Sequence, residues 1–486
     1  FYLSPRTSLS VTGNAQLQQF RTQSNAYTNI FDAAGQWQQQ LTFQNQLQEP
    51  ARSYSGSVHF SHQTDSSGKE FTADLDYADY YNRSDQHIMN AGQGNPIPVF
   101  LDQYSRLHIY AVKADYTHPL KMGGRVELGW KTSYVDTRND SRFFEKEIPD
   151  PAKGNYFKYS EQINAAYASI QKTHQQISWQ LGARVEQTIG HGKQVLTQQH
   201  VDRNYWQLFP SAQVSFQFND DHSLNWNAAR KVDRPAYTTL NPLFRFVNST
   251  AYIQGDPNLQ PQLSYSTALK YAYRNQLFFT LGYTYYTHYI TYWIFPQTDP
   301  VNGTEKVIVS KPVNLDHATA YNAELLYTQQ ICDGWTSSNS VTLYYNQYQG
   351  TVNNYQLHNQ GIPSFFFNTQ HSFVITPRIS AEASFRYAHR SQEGTAIYKA
   401  NSNFSAGIKT SLLGNKGALS LHVSDLFRGQ RFIWTSDVGG VLESRHVQLD
   451  ARVIRLNFTY KFGNIHLRKI KTGTATSTEK TRAEDR

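Results

Sequence analysis

The sequence predicts an all-β fold, a transmembrane antiparallel up-and-down β-barrel with about 18 strands visible, and three observations carry that prediction. Apolar and polar residues alternate with period two along nearly the whole of the 486 residues, whereas a helical period is absent. The connections between alternating segments are short and long in turn. Aromatic residues reach 14%, yet no run of about 18 apolar residues is present to make a membrane helix. A barrel reconciles the last two facts. Only alternate residues face lipid, and Tyr and Trp favour the membrane interfaces.

The strands can be read in order. Phe71, Ala73, Leu75 and Tyr77 alternate with Thr72, Asp74 and Asp76, and Val126, Leu128 and Trp130 with Glu127, Gly129 and Lys131. Ile177, Trp179, Leu181 and Val185 alternate with Ser178, Gln180, Gly182, Arg184 and Glu186. Further on, Leu277, Phe279, Leu281 and Tyr283 alternate with Thr280, Gly282 and Thr284, and Ala381, Ala383, Phe385 and Tyr387 with Glu382, Ser384 and Arg386. The last segment sets Ile454, Leu456, Phe458, Tyr460 and Phe462 on one face and Arg455, Asn457, Thr459 and Lys461 on the other.

Tight polar links fall near Gln63–Gly68, His118–Gly124, Gln171–Gln176, Asn219–His222, Arg274–Gln276, Ile331–Trp335, Thr376–Arg378 and Leu413–Gly417. Longer connections are expected at Ser84–Tyr104, Asn139–Tyr156, Asp233–Gln262, Gln349–Ile362 and Leu426–His446. Short turns at one rim and long loops at the other are the periplasmic and extracellular ends of an outer-membrane barrel. A soluble sandwich has no reason to sort loop length by rim. One barrel domain is therefore expected over residues 1–463. From Asn464 onward Lys, Arg, Thr and Ser replace the pattern, and residues 464–486 read as a basic, disordered periplasmic tail.

The composition narrows the function. Cys332 is alone, which excludes an internal disulfide or a paired-cysteine metal knuckle. The net charge of +8 is dispersed over polar strand faces rather than gathered in a patch, so no nucleic-acid partner is expected. No HExxH, GxSxG or phosphate-cradling glycine loop is present. His59, His108 and His222 lie at no ligand-like spacing, and Asp74 and Asp76, with Asp79 near, read as polar lumen wall before a cation site. Neither an enzyme nor a resident cofactor or metal is expected.

The most distinctive segment is 229–266. Pro235, Pro242, Pro257 and Pro261 keep its backbone out of a ladder and stiffen a long outer loop, and Gly255 before Asp256-Pro257 reads as a sharp turn. Long, proline-stiffened loops in compact folds tend to carry function.

The run Arg230-x-x-x-Arg234-Pro235-x-Tyr237-x-x-Leu240-Asn241-Pro242, followed by Gly255-Asp256-Pro257-Asn258-Leu259-x-Pro261, resembles the hallmark segment of TonB-dependent receptor barrels. It is most similar to the outer membrane β-barrel family of Bacteroidetes-type bacteria. The closing strand with its basic tail, and Gly68-Lys69-Glu70 leading into Asp74-Leu75-Asp76-Tyr77, fit the same family. Gln262 departs from it, standing where members often carry Glu.

The resemblance implies a receptor for ligand uptake across the outer membrane, in which a plug fills the barrel and a TonB complex pulls on it. That machinery is N-terminal in the family. The sequence from Phe1 onward reads as lacking a signal peptide, plug and TonB box, and the chain is expected to be the C-terminal barrel portion of a longer precursor or a processed product. Family barrels have about 22 strands, so about four are expected outside these residues. Outer-membrane lipid is a partner on this reading, and a surface lipoprotein on the outer loops stays open. Arg234 and its neighbours have two roles open to them, anchoring the loop to the wall or touching ligand. In the second, Tyr237, Phe244, Phe246 and Tyr252 would stack on a sugar or aromatic chelator, and Arg234 and Arg245 would pair with its anionic groups.

Two alternatives remain, a passive outer-membrane pore and a surface glycan-binding β protein. The ligand is not legible. The strand near Thr7–Phe20 and the one at Val453–Phe462 pose a further question, because a barrel in hydrocarbon must close. If the two cannot pair, the wall has open edges.

Overall fold

The computed structural model describes residues 1–486 except 92–96, 122, 151–153, 197, 249, 299–305, 354, 360, 415, 439, 463–474 and 485–486. Eighteen staves form one antiparallel meander, each paired with the next along the chain. They are β1 (Thr7–Phe31), β2 (Trp37–Gln63), β3 (Glu70–Ala91), β4 (Ile97–Leu120), β5 (Gly124–Glu145) and β6 (Asn155–His174). Next come β7 (Ile177–Gln194), β8 (Gln199–Gln217), β9 (His222–Asp233), β10 (Gln262–Tyr273), β11 (Leu277–Thr298) and β12 (Lys306–Cys332). The last six are β13 (Trp335–Val352), β14 (Ser364–Val374), β15 (Ile379–Ala388), β16 (Asn401–Leu412), β17 (Gly417–Val423) and β18 (Ile454–Tyr460).

The eight tight links read from the sequence all fall at one rim. In Tyr273–Gln276 the two central residues, Arg274 and Asn275, both have positive φ (51° and 53°), and the Gln276 N–H donates to Tyr273 O at 3.0 Å. That is the primed hairpin geometry, which matches strand twist.

At the other rim several expected loops are strand instead. β3 runs to Ala91 and β4 starts at Ile97, so most of Ser84–Tyr104 is ladder, as is most of Asn139–Tyr156. The sequence there is rich in Gly, Asn, Asp and Pro and reads as loop, but Ile88, Val99, Leu101 and Phe143 cluster on its inner face and its charges pair on the outer one. Arg83 bridges Asp85 of its own stave and Asp102 of the next, both at 3.1 Å, and Arg142 meets Asp140 of its own stave at 3.6 Å. β1 has 25 residues and β2 has 27, where about 9–11 suffice to cross a membrane, so these staves rise well beyond it. Within the expected loop Gln349–Ile362, Tyr355–Asn359 pairs back on β13. Within Leu426–His446, strands Arg431–Val438 and Val441–Gln448 form a small sheet with Ser391–Glu393 and Ala396–Tyr398.

The outward face carries an apolar belt. Leu75, Leu128, Leu181, Leu281 and Leu343 are all about half exposed or more, and Ile408, Leu421 and Leu456 sit side by side on β16, β17 and β18. Among the described residues no ladder joins β1 to β18. Tyr2–Ser4 folds back on the first two residues of β1, and β18 pairs only with β17. The meander therefore has two free edges.

The tail also departs from expectation. Residues 463–474 lie outside the described residues, but Ser477–Glu484 form a helix, α1, seated against the inner wall. Its polar composition suggested disorder. Burial of its charges against opposite charges on the staves gives it order instead.

A lumenal site built on paired charges

Alternation fixes which side chains face the lumen. On β3 these are the even residues, on β4 to β6 the odd ones and on β7 the even ones, because residues paired across a ladder share a face. One cross-strand row runs Asp76, Ala111, Ser133, Ile163 and Thr188, and the adjacent one runs Asp74, Lys113, Lys131, Ala165 and Glu186. Glu161 of β6 lies one step further along. Five staves thus gather four buried acids, Asp74, Asp76, Glu161 and Glu186, into one patch.

The segment between β9 and β10 does not project outward. It folds into the lumen and lays Tyr237, Leu240 and Leu259 on an apolar strip of wall formed by Ala78, Leu107, Ile109, Val135, Phe157 and Tyr159. Each of these loop side chains is at most 4% exposed, and burial of a side chain of this size stabilises by about 1.5–3 kcal/mol. A hairpin, Phe244–Asn248 with Ala251–Gln254, extends the loop, and its second strand pairs in parallel with β12.

Gly255 sits where the two motif halves meet. A Cβ there would lie 2.2 Å from Asn241 O and 2.5 Å from Thr239 O, and the neighbouring Asp256 N–H donates to Thr239 O at 2.8 Å. The glycine is required by close backbone approach, rather than by the sharp turn its sequence suggested.

The charges interlock. Glu186 accepts from Arg184 and from Arg234, each at 2.5 Å, and the Arg234 guanidinium also donates to Thr188 Oγ1 at 3.1 Å. Glu161 pairs with Arg482 of α1 and accepts from the Tyr159 hydroxyl at 2.9 Å. Arg482 also donates to Pro235 O at 3.1 Å and lies over the Tyr237 ring, 4.2 Å from its centre. Burial disfavours the Arg482 charge, but Glu161 beside it more than offsets this and raises its pKa. Burial likewise pushes the Tyr237 hydroxyl up. A buried pair of this kind contributes little net stability, but removing one partner costs about 3–5 kcal/mol.

Toward the loop rim a cavity of about 720 Å³ opens between β1–β5 and the inward loop. Tyr237, Asn241, Arg245 and Gly255 line it from the loop, Tyr80, Asn82 and Asn139 from the staves, and Ala483 of α1 from the lumen. Its lining includes both a cationic group, Arg245, and aromatic ones, Tyr80 and Tyr237. Among the described residues no group of three or more His, Cys, Asp or Glu is placed to hold a metal. His59 meets Asp74 at 2.6 Å and His222 meets the Tyr271 hydroxyl at 2.6 Å, each as a neighbour across a ladder.

The family model for the outer membrane protein β-barrel family matches residues 62–460. The chain belongs to that family. As a member of the outer membrane protein β-barrel family it is an outer-membrane, multi-pass β-barrel. A comparison with curated proteins finds no match. Among solved structures, the siderophore receptor PirA of Pseudomonas aeruginosa is 12% identical, with 93% of this chain and 80% of that one covered and a TM-score of 0.50. The ferric yersiniabactin uptake receptor FyuA of Yersinia pestis is 11% identical, with 93% and 76% covered and a TM-score of 0.53. The FrpB iron transporter of Neisseria meningitidis is 10% identical, with 95% and 82% covered and a TM-score of 0.50. At these identities the likeness is one of fold.

In this barrel-family member the motif residues are spread over several tasks. Arg230 donates to Leu208 O and lies 5.5 Å from the Phe209 and Tyr265 ring centres. Arg234 is engaged by Glu186, Pro235 supplies a carbonyl to Arg482, and Asn241 accepts from the Leu243 N–H at 3.3 Å. Pro242 O accepts from Gln254 at 3.1 Å and Pro257 O from Arg203 at 2.6 Å. Pro261 precedes β10, and Asn314 clamps Gln260 just before it with bonds of 2.8 and 3.0 Å. Gln262 Oε1 accepts the Ile290 N–H at 2.9 Å, a task a carboxylate oxygen performs equally well.

Of the six residues read as ligand contacts, Tyr237 and Arg245 line the cavity. Phe244 packs edge-on against Tyr252, with ring centres 6.4 Å apart, in a cluster with Val307 and Val309. The side chain of Phe246 lies outside the described residues. Sequence reading passed over Glu161, Lys131 and Tyr159 and the tail residues Glu479 and Arg482. The signal was present in part, since Thr476-Ser477-Thr478-Glu479 is a capping-box pattern.

Proposed function

We propose that this barrel forms the wall of a TonB-dependent receptor that takes up a ligand, of the ferric-chelate class, across the outer membrane. The observation that carries the reading is the inward loop, held to the wall by Arg234 and Glu186 and leaving a bounded cavity open toward the long-loop rim. A passive pore gains nothing from filling its own lumen with a proline-stiffened, ion-paired segment. The solved barrels of similar fold include a siderophore receptor, a ferric yersiniabactin uptake receptor and an iron transporter, which supports the ligand class. The outward apolar belt and the family membership set aside a soluble glycan-binding β protein.

The two free edges bear on the same reading. Unpaired backbone groups are costly in hydrocarbon, so the working wall is completed by further strands between β18 and β1. Arg245 at the cavity suits the anionic groups of a chelate, and Tyr80 and Tyr237 suit its aromatic parts. The test is uptake of radiolabelled iron, presented as catecholate and phenolate chelates, in a host lacking its own receptors. Uptake that requires this protein and stops when the host's TonB is deleted supports the proposal. Entry of small neutral solutes at equal rates with and without TonB would instead mark a passive pore.

A further inference from the structure

Helix α1 is held in the lumen by side chains on three separate staves. At its start the Asp76 carboxylate accepts from the backbone N–H groups of Ala475 and Thr476, the latter at 3.0 Å, and from the Thr476 hydroxyl at 3.3 Å. Helix N-termini have unsatisfied N–H groups and a partial positive charge, so an acid there is favourable. Asp76 is itself fixed by the Ser57 hydroxyl at 2.6 Å.

One turn on, Glu479 would ordinarily fold back to close the capping box begun by Thr476. It turns to the wall instead, where Lys131 meets both its oxygens at 3.0 Å and Ser133 donates at 2.7 Å. Asp76 takes over the capping task that this releases. The next turn brings Arg482 to Glu161, Pro235 O and the Tyr237 ring. Ala475, Thr476, Glu479 and Arg482 are each at most 7% exposed. The wall and the helix thus match at three points, N-terminus to acid, acid to base and base to acid, at the spacing of successive helical turns.

We propose that residues 475–484 are a built-in lumen plug, a docked segment that closes the passage beside the inward loop and must leave before that passage opens. Arg482 joins the two blocking elements, since its partners Pro235 and Tyr237 belong to the loop. Release of α1 therefore frees one side of the loop's attachment as well. The inference does not depend on which ligand is transported. Iron uptake can fail while the tail remains docked, and the reverse.

The test uses the full-length protein in outer membranes, with trypsin admitted from the periplasmic side. Lys480 lies between the two buried anchors, so docking protects the bond after it. Arg482→Glu breaks the pair with Glu161, and cleavage after Lys480 should rise by about a hundredfold or more, since cleavage follows the open population. Glu161→Arg should do the same, and the double variant should regain protection. A truncation after residue 474, which leaves every stave intact, should give steady conductance in planar bilayers where the full-length protein gives little. Cleavage after Lys480 at the rate of an unfolded peptide in the unaltered protein would overturn the proposal. So would equal conductance with and without the tail, as when another segment fills the lumen.

Discussion

Replacement of Gly255 by Ala isolates the docking of the inward loop from the stability of the barrel. The added Cβ would stand 2.2 Å from Asn241 O and 2.5 Å from Thr239 O. Both are backbone oxygens, so no side-chain rotation relieves the overlap, and the two motif halves must part. Overpacking of this kind costs about 1–3 kcal/mol. The bond from Asp256 N–H to Thr239 O, 2.8 Å long, is lost with it, at a further 0.5–1.5 kcal/mol or about 1. The total is about 2–4 kcal/mol, which corresponds to a roughly 30- to 900-fold rise in the undocked loop population. Amide hydrogen exchange reads this directly, because local opening reports the free energy of the opened unit. Amides of residues 236–259 should lose protection by that factor while those of β3–β6 keep theirs. Unchanged exchange in the loop, or a loss spread evenly over the staves, would refute the reasoning.

Other predictions follow from the same geometry. Arg234→Ala leaves Glu186 with Arg184 alone and should weaken loop docking by about 3–5 kcal/mol, whereas the double change with Glu186→Ala should recover part of it, both by hydrogen exchange. Leu281→Lys places a charge in the outward belt and should lower barrel stability to urea by about 2–4 kcal/mol if it lies near the bilayer midplane. Thr280→Lys, on the polar face of the same stave, should be tolerated. Residues 1–486 refolded alone should give no heat-modifiable band on gels, because β1 and β18 leave two edges unpaired. A longer product that closes the wall should give one.

The staves were legible because period two is local. Ile454–Tyr460 declares its two faces without reference to anything else in the chain, and each tight link carries its own turn residues. The height of the wall was not legible. At Arg83, Asp85 and Asp102 charges interrupt the apolar outer face, and the pairing that keeps these residues in staves, Arg83 with Asp102, is not local in sequence.

The direction of the 234–261 segment was hidden for a related reason. Pro235 and Pro257 show that the backbone is stiff, but not where it packs. The clue lay far away, in Leu107, Ile109 and Ala111, which make β4 apolar inside as well as outside at Tyr110 and Val112. A stave apolar on both faces is covered on both. The tail failed differently. Its composition is that of a disordered segment, and only the wall's Asp76, Lys131 and Glu161 give Thr476, Glu479 and Arg482 something to bind.

The orientation of the barrel, short turns inside the cell envelope and inward loop entered from outside, is tested by its own lone cysteine. Cys332 is exposed in the short-turn rim beside Gly334. A maleimide too large to cross the outer membrane should leave Cys332 unlabelled in intact cells and label it after permeabilisation. In a Cys332→Ser background, Ala34→Cys in the opposite rim should label in intact cells. Labelling of Cys332 in intact cells as fast as of Ala34→Cys would contradict the account.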